Sequence, residues 1–258
     1  RGEDGSVQGL LELADVAYVG AGVAASAVGM DKELARAVFA QAGLRQTEYL
    51  VIRRSVWNAD RQGTLKDIEA TLRYPLFVKP VNLGSSIGIS KVHDIQSLES
   101  AIDLASGYDV KIMVEASVEN ARELECAVLG NDDPKASVIG EIIPGAEFYD
   151  YTTKYIDDRS QLIVPAELPE SISAEIQTMS VEAFRSIDCA GLGRVDFLLA
   201  PSGDIFLNEI NTMPGFTPIS MYPRLWQASG IPYPALIDEL VQLALARHRE
   251  TQQVSVNR

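Results

Sequence analysis

The stretch GRVDFLLAPSGDIFLNEINTMPG, residues 193–215, carries the densest set of chemically informative residues in this chain. Two apolar runs rich in β-forming residues flank a Pro-Ser-Gly turn at 201–203, a pattern that predicts a β-hairpin. Side chains alternate between the faces of a strand, so residues two positions apart share a face. Two polar pairs have this spacing, Arg194 with Asp196 and Glu209 with Asn211.

If the polar faces of the two strands coincide, oxygen atoms of Asp196, Glu209 and Asn211 converge beside Arg194. Hard oxygen ligands without thiolate or imidazole suit Mg²⁺ held jointly by protein and nucleotide phosphates. The alternative is an ordinary hairpin whose polar residues face water. The apolar neighbours weigh against that alternative, because charges placed among buried side chains need partners. The hairpin is therefore a candidate magnesium site.

Composition restricts the classes of function that remain open. The chain has 258 residues, enough for one large domain or two ordinary ones, and a formal net charge of −14. An acidic balance of this size disfavours a nucleic-acid surface and favours small-molecule partners. No apolar run approaches the roughly 20 residues of a membrane span, and no signal peptide opens the chain. We therefore expect a cytoplasmic protein without nucleic-acid or membrane partners.

Hydrophobic periodicity predicts an alternation of helices and strands along the chain. The predicted helices are near 6–14, 30–42, 68–73, 98–106, 173–187 and 231–249. The predicted strands, besides the hairpin, are 16–20, 49–53, 75–80, 88–92, 110–115, 124–129 and 137–143. This mixture predicts an α+β fold, with disorder only in residues 251–258.

Two glycine-containing segments suggest different nucleotide chemistry. Gly20 and Gly22 belong to a G-x-G-x-x-A pattern after a predicted strand, which supports the rival hypothesis of an NAD-dependent oxidoreductase. The chain ahead of Val16 is too short for the rest of a doubly wound sheet, and Glu48 is the one acidic residue at about the expected spacing of ~20. This motif alone is weak.

The second segment, residues 82–88, contains two glycines and two serines and follows an apolar strand that ends near Lys79. Backbone N–H groups of such a loop can close over phosphates, and a lysine can pair with phosphate as a point charge. A flexible hairpin turn is the alternative. The P-loop pattern is absent, so this would be a different kind of phosphate site.

Six motifs occur in order along the chain: MDK at 30–32, FVKP at 77–80, GSSIGISKV at 84–92, YDYTTKY at 149–155, GRVDF at 193–197 and NEINTMPGFTPISMYP at 208–223. Together they resemble the D-alanine–D-alanine ligases of the ATP-grasp superfamily. The resemblance implies an ATP-grasp fold, in which two α+β subdomains clasp the nucleotide between antiparallel sheets. It divides the chain into residues 1–20, a remnant of an N-terminal domain otherwise missing, 21–118, the central subdomain, and 119–258, the C-terminal subdomain with a lid loop and the metal site.

The implied activity is ATP-dependent ligation of two D-alanines through an acyl phosphate, for peptidoglycan synthesis in the bacterial cytoplasm. The substrates are D-alanine and ATP, the metal is Mg²⁺ as two ions with Mn²⁺ as a substitute, and the intact protein is expected to be a homodimer. D-serine or D-lactate as second substrate is the alternative, although the intact Thr-Lys-Tyr at 153–155 favours D-alanine. A binding module without catalysis is a further alternative, but the polar set of the hairpin is complete.

The resemblance also implies roles for individual residues. Catalytic roles fall to Arg194, Ser85, Tyr155, Lys154 and Gly215. Substrate-binding roles fall to Ser220, Met221 and Glu3. Nucleotide-binding roles fall to Lys32, Lys79, Ser86, Glu115, Ala116, Val118, Glu123, Phe148 and Asn208. Metal-binding roles fall to Asp196, Glu209 and Asn211. Ala116 stands where many relatives carry lysine, so backbone groups of Ala116 and Val118 are expected to contact adenine.

Overall fold

The computed structural model describes residues 2–84, 86–143 and 161–253. The helices are α1 (Ser6–Leu13), α2 (Val23–Met30), α3 (Lys32–Gln41), α4 (Arg54–Ala59), α5 (Arg61–Thr71), α6 (Ile95–Ser106), α7 (Glu170–Ser186), α8 (Met221–Ala228) and α9 (Tyr233–Gln253). The strands are β1 (Tyr49–Arg53), β2 (Leu76–Pro80), β3 (Ser90–Val92), β4 (Lys111–Ala116), β5 (Arg122–Gly130), β6 (Lys135–Ile143), β7 (Gln161–Ile163), β8 (Gly191–Leu199) and β9 (Ile205–Asn211).

The strands form two antiparallel sheets, one in the order β1-β4-β2-β3 and one in the order β7-β6-β5-β8-β9. In the first sheet, apolar side chains of β2 and β4 share a core with Trp57 and with Leu98 and Ile102 of α6. Helices α2 and α3 belong to a different core, because Ala25 and Phe39 pack with the second sheet and α7. The predicted α+β fold is confirmed.

Strand β5 shows how the second sheet leaves part of one face open. Cys126 and Val128 lie in the core that contains α7, whereas Ala127 and Leu129 lie in the core that contains α8 and α9. This division follows from the alternation of side chains along a strand. The next residue on the face of Ala127 is Glu125, where the apolar pattern ends and a pocket begins. The polar end of this face therefore becomes available to a ligand.

The strand predicted at residues 16–20 is not formed, so that prediction was wrong. The chain is irregular there, and Gly20 has a φ of 100°. Its backbone oxygens are satisfied by a side chain rather than by a neighbouring strand: Arg247 donates to the carbonyls of Gly20 and Tyr18, and its guanidinium lies 4.6 Å from the centre of the Tyr18 ring. Without a preceding strand, the glycine pattern loses the context that a dinucleotide-binding motif requires.

Other boundaries also differ from the prediction. The helix predicted at 30–42 is interrupted at Asp31, whose extended backbone ends α2 and whose side chain caps α3 by accepting from the N–H groups of Glu33 and Leu34. The short helix predicted at 68–73 corresponds to the end of α5, which stops at Thr71. Residues 251–253, predicted as disordered, extend α9.

Within the ranges given above, none of the helices combines the length and apolarity needed to cross a membrane.

Candidate active site

A pocket of about 470 Å³ lies between the two sheets and takes side chains from both. This volume falls within the usual range for small-molecule sites. Lys32 and Lys79 line it from the side of α3 and the first sheet, and Asp196 and Glu209 line it from the hairpin of β8 and β9. The two sides meet where the Nζ of Lys32 lies 3.4 Å from Oε2 of Glu209. Cations and carboxylates thus share one end of the pocket.

Lys32 is fixed at the first residue of α3. Its Nζ donates to the carbonyl of Leu83 at 2.7 Å, which connects the helix to the loop that follows β2. The helix start is in turn anchored to β4, because the Nζ of Lys111 bonds to the capping carboxylate of Asp31 and lies 2.8 Å from Oε2 of Glu33. These contacts place the positive charge of Lys32 at the end of the pocket where phosphates are expected.

Lys79 is held by a buried ionic network. Its Nζ lies 2.5 Å from Oε1 of Glu115, and the other oxygen of Glu115 accepts a hydrogen bond from Arg36. Arg36 also donates to the backbone oxygen and hydroxyl of Thr47, at 3.2 and 3.0 Å. Burial favours a raised pKa for Glu115, but the charges of Lys79 and Arg36 outweigh it and lower the pKa from its ordinary value. The carboxylate therefore stays ionised between two cations.

Arg36 was not predicted as part of the site. It is 2% exposed and lies one helical turn after Lys32 on the same side of α3. The signal in the sequence is the spacing of two basic residues on one helix, which by itself is typical of a solvated helix face. The contact of Arg36 with Glu115, near the end of β4, shows that this arginine is internal.

The hairpin prediction is confirmed. Arg194 lies opposite Asn211 and Asp196 lies opposite Glu209 in the register of β8 and β9, so the two polar pairs share one face. Arg194 donates through Nε and Nη2 to the two carboxylate oxygens of Asp196, both at 2.7 Å. Asn211 accepts from the N–H of Met213 through its side-chain oxygen at 3.1 Å.

A β-bulge modifies the strict alternation assumed for β9. Asp196 pairs with Glu209, but the next residue on β8, Phe197, pairs with Leu207, which leaves Asn208 as an extra residue. A bulge re-aims the side chains beyond it. Asn208 and Glu209 therefore both line the pocket, although neighbours on a regular strand would point to opposite faces.

Glu125 is a pocket residue that the sequence pattern did not reveal. It lies opposite Asp196 in the register of β5 and β8, lines the pocket and is 5% exposed. Its Oε2 is 3.1 Å from the Nε of Arg194. Burial favours a lower pKa for Arg194, but the charges of Asp196 and Glu125 reverse this and raise the pKa above its ordinary value. Arg194 thus bridges two carboxylates as a permanent cation.

The loop at 82–88 is held at both ends. The carboxylate of Asp109 accepts from the backbone and side-chain N–H groups of Asn82, at 2.7 and 3.1 Å. At the other end Gly88 adopts a φ of 72° beside the ring of Tyr108. Ser86 lies between them and lines the pocket.

Gly88→Ala is expected to lower the free energy of unfolding by about 1–3 kcal/mol through local strain. A Cβ at this position would lie 2.7 Å from the Tyr108 ring and 3.0 Å from Cγ of Pro80, at a φ that L residues rarely adopt. Urea denaturation measures the change. Gly84→Ala is the matched control, because no atom lies within 4 Å of a Cβ there. Equal stability of the two variants would contradict the expectation.

The residues expected to contact adenine and ribose lie on one wall of the pocket. Ala116 ends β4, Val118 follows it and Glu123 lies near the start of β5; all three line the pocket. Glu115 lines it as well, but its side-chain oxygens contact cations of the protein. An adenine contact of the Glu115 carboxylate stays a prediction.

The predicted substrate residues lie apart from this pocket lining. Ser220 precedes α8 without capping it; its hydroxyl accepts from the N–H of Thr217 at 3.1 Å. Met221 is buried in the core below α8. Gly215 lies close to the Ser220 hydroxyl, and Glu3 is exposed before α1. The remaining predicted residues lie outside the described ranges: Ser85, Phe148, Lys154 and Tyr155.

The donor set of the hairpin fits a hard divalent cation shared with phosphate oxygens. Asp196 and Glu209 are register neighbours, and Asn211, whose side-chain oxygen accepts from the N–H of Met213, lies on the same strand face. Among the described residues, no group of three His, Cys, Asp or Glu side chains is arranged to hold a metal on its own.

Comparison with solved structures defines the class of protein. The D-alanine-D-alanine ligase from Coxiella burnetii superposes with a TM-score of 0.86 at 41% identity, covering 98% of this chain and 67% of its own. The VanG D-Ala:D-Ser ligase from Enterococcus faecalis gives 0.85 at 39% identity, covering 94% and 69%. Together with the pocket between two antiparallel sheets, these likenesses define a ligase of the ATP-grasp type.

Sequence comparison identifies the family. Residues 38–242 match the family model described as D-ala D-ala ligase C-terminus. D-alanine–D-alanine ligases of Bacillus cytotoxicus and Acetivibrio thermocellus are 54% and 53% identical over 98% and 97% of this chain. The matches span 70% and 66% of those relatives' own length. This chain belongs to the D-alanine–D-alanine ligase family.

Proposed function

We propose that this chain joins two D-alanines into D-alanyl-D-alanine at the expense of ATP. The observation that carries the proposal is the meeting of Lys32 and Glu209 across the pocket. It brings cations suited to a triphosphate against carboxylates suited to the metal that accompanies a triphosphate. Family membership supplies the substrate class, since the relatives named above are D-alanine–D-alanine ligases.

The proposed reaction has two steps. The carboxylate of the first D-alanine attacks the γ-phosphorus of ATP, giving an acyl phosphate and ADP. The amine of the second D-alanine then attacks the acyl carbon, a C–N bond forms, the amine loses a proton and inorganic phosphate leaves. Both steps concentrate negative charge on phosphate and acyl oxygens, so fixed cations accelerate them.

The residues that line the pocket and the hairpin suit these demands. Lys32 and Lys79 would neutralise phosphate oxygens, with the loop at 82–88 covering them through Ser86 and backbone N–H groups. Asp196, Glu209 and Asn211 would hold Mg²⁺, which when bound neutralises the phosphates and aligns them for transfer. Arg194 would stabilise charge on the transferring group. Ala116, Val118, Glu123 and Asn208 would contact the nucleoside and phosphates.

The division into subdomains at 21–118 and 119–258 is proposed on the same basis. Each of the two sheets falls within one of these subdomains. Location in the cytoplasm and assembly into a homodimer also stay predictions.

The function is tested by incubating the chain with Mg²⁺, ATP and D-alanine, alone or together with D-serine or D-lactate, and identifying products by mass spectrometry. The expected product is D-alanyl-D-alanine, with one ADP and one phosphate for each dipeptide. A mixed D-alanyl-D-serine product alone would favour the alternative that the likeness to the VanG ligase keeps open. ATP binding by calorimetry without any product would contradict ligase activity in this chain.

A further inference from the structure

Glu125, Asp196 and Glu209 form one row of carboxylates across the second sheet, next to the guanidinium of Arg194. The register places Glu125 of β5 opposite Asp196 of β8, and Asp196 opposite Glu209 of β9. Asp196 and Glu209 are the proposed metal ligands. Glu125 is the most deeply buried of the row, and the position opposite it on β6 is Gly140, which has no side chain.

Arg194 contacts two members of this row at once. Its Nε and Nη2 occupy both oxygens of Asp196 at 2.7 Å, and its Nε is also 3.1 Å from Oε2 of Glu125. A cation bound at Asp196 competes with the guanidinium for the same oxygens. The competition leaves a buried arginine beside a new positive charge, an arrangement that is costly unless another anion compensates it.

We propose that Glu125 is a positioning residue for Arg194, which keeps the guanidinium in the site when a divalent cation takes the oxygens of Asp196. The inference rests on the metal site of the proposed function. Glu125 suits this task because its strand is paired on both sides, by β6 and β8, which fixes its backbone, and because its side chain is buried beside Arg194. The sheet thereby provides two carboxylates, those of Asp196 and Glu125, as partners for one arginine.

Two other roles would make different predictions. As a direct metal ligand, or as a distant negative charge, Glu125 would attract the cation whether or not Arg194 is present. As a positioning residue it acts through Arg194, so its effect on metal affinity disappears when the guanidinium is removed. A double-mutant cycle separates these cases.

The probe is Mn²⁺, measured by electron paramagnetic resonance in the presence of a non-hydrolysable ATP analogue. Glu125→Gln is expected to weaken Mn²⁺ binding about tenfold, a change within the usual coupling energy between members of one ion-pair network. In an Arg194→Gln background the same change is expected to leave the affinity unaltered. Unaltered affinity in the Glu125→Gln single variant, or an equal loss in both backgrounds, would overturn the inference. Circular dichroism verifies that each variant is folded.

A structure of the unaltered chain with Mg²⁺ and the analogue tests the same point without any substitution. We expect Arg194 to keep its contact with Glu125 while Asp196 faces the cation. Arg194 still bidentate on Asp196, or departed from Glu125, would refute the positioning role. If the unaltered chain binds the analogue but no Mn²⁺, the metal site of the proposed function fails and this inference fails with it; if Mn²⁺ binds normally, only the inference is at stake.

Discussion

Replacing Glu209 by glutamine is expected to reduce dipeptide formation about a thousandfold, the several kcal/mol of transition-state stabilisation that a bound divalent cation contributes. Glu209 lies at the junction of the two halves of the pocket: it is the register partner of Asp196 and lies 3.4 Å from the Nζ of Lys32. The amide keeps the shape of the side chain. It removes the negative charge that faces Lys32 and that would hold Mg²⁺.

The readout is the initial rate of ADP formation with D-alanine, together with Mn²⁺ affinity and the melting temperature. The side chain of Glu209 is 32% exposed, so the melting temperature should change little. Glu182→Gln, an exposed change of the same kind on α7, is the control and should retain the rate. A Glu209→Gln variant with the unaltered rate would remove Glu209 from the metal site.

The hairpin shows how much of the site local sequence determines. The turn at 201–203 and the two-residue spacing of Arg194 with Asp196 depend on neighbours along the chain, so strand pairing and a shared polar face were predictable. The bulge at Asn208 could not be predicted from local sequence, because it depends on which residues of β8 and β9 face each other. Glu125 was missed for the same reason: its position beside Asp196 is set by a strand pairing between residues far apart in sequence.

Side chains from distant elements also explain the wrong boundaries. Residues 16–20 have the composition of a strand, yet the carbonyls of Tyr18 and Gly20 accept hydrogen bonds from Arg247 of α9. The helix predicted at 30–42 breaks where Asp31 both caps α3 and pairs with Lys111 of β4. Propensity describes the segment alone, whereas these contacts depend on what the fold brings next to it.

Glu115→Gln is expected to destabilise the fold by about 3–5 kcal/mol, the usual cost of leaving buried charge uncompensated. Arg36 and Lys79 are 2% and 4% exposed, and in this variant they would face each other without their shared anion. For a chain of this size the melting temperature should fall by roughly 10 °C. Glu119→Gln, an exposed change after the same strand, is the control and should be neutral. A neutral Glu115→Gln would show that the network carries no net charge stabilisation.

A second substitution distinguishes lost charge from lost packing. Arg36 keeps its charge at any ordinary pH, whereas burial lowers the pKa of Lys79 from its ordinary value. The double variant Arg36→Met with Glu115→Gln is therefore expected to be more stable than Glu115→Gln alone. If the double variant loses as much free energy of unfolding as the Arg36→Met and Glu115→Gln single variants together, packing rather than charge dominates at this position.

The pH dependence has a definite sign. The pKa of Glu115 is lower in the folded chain than its ordinary value of 4.5, so the stability it contributes is complete above pH 4.5 and is lost as the pH falls through the lower folded value. The stability difference between the unaltered chain and Glu115→Gln should therefore be constant near neutral pH and shrink in acid. Urea denaturation across this range measures it, and a difference that grows in acid would contradict an ionised Glu115 in the folded chain.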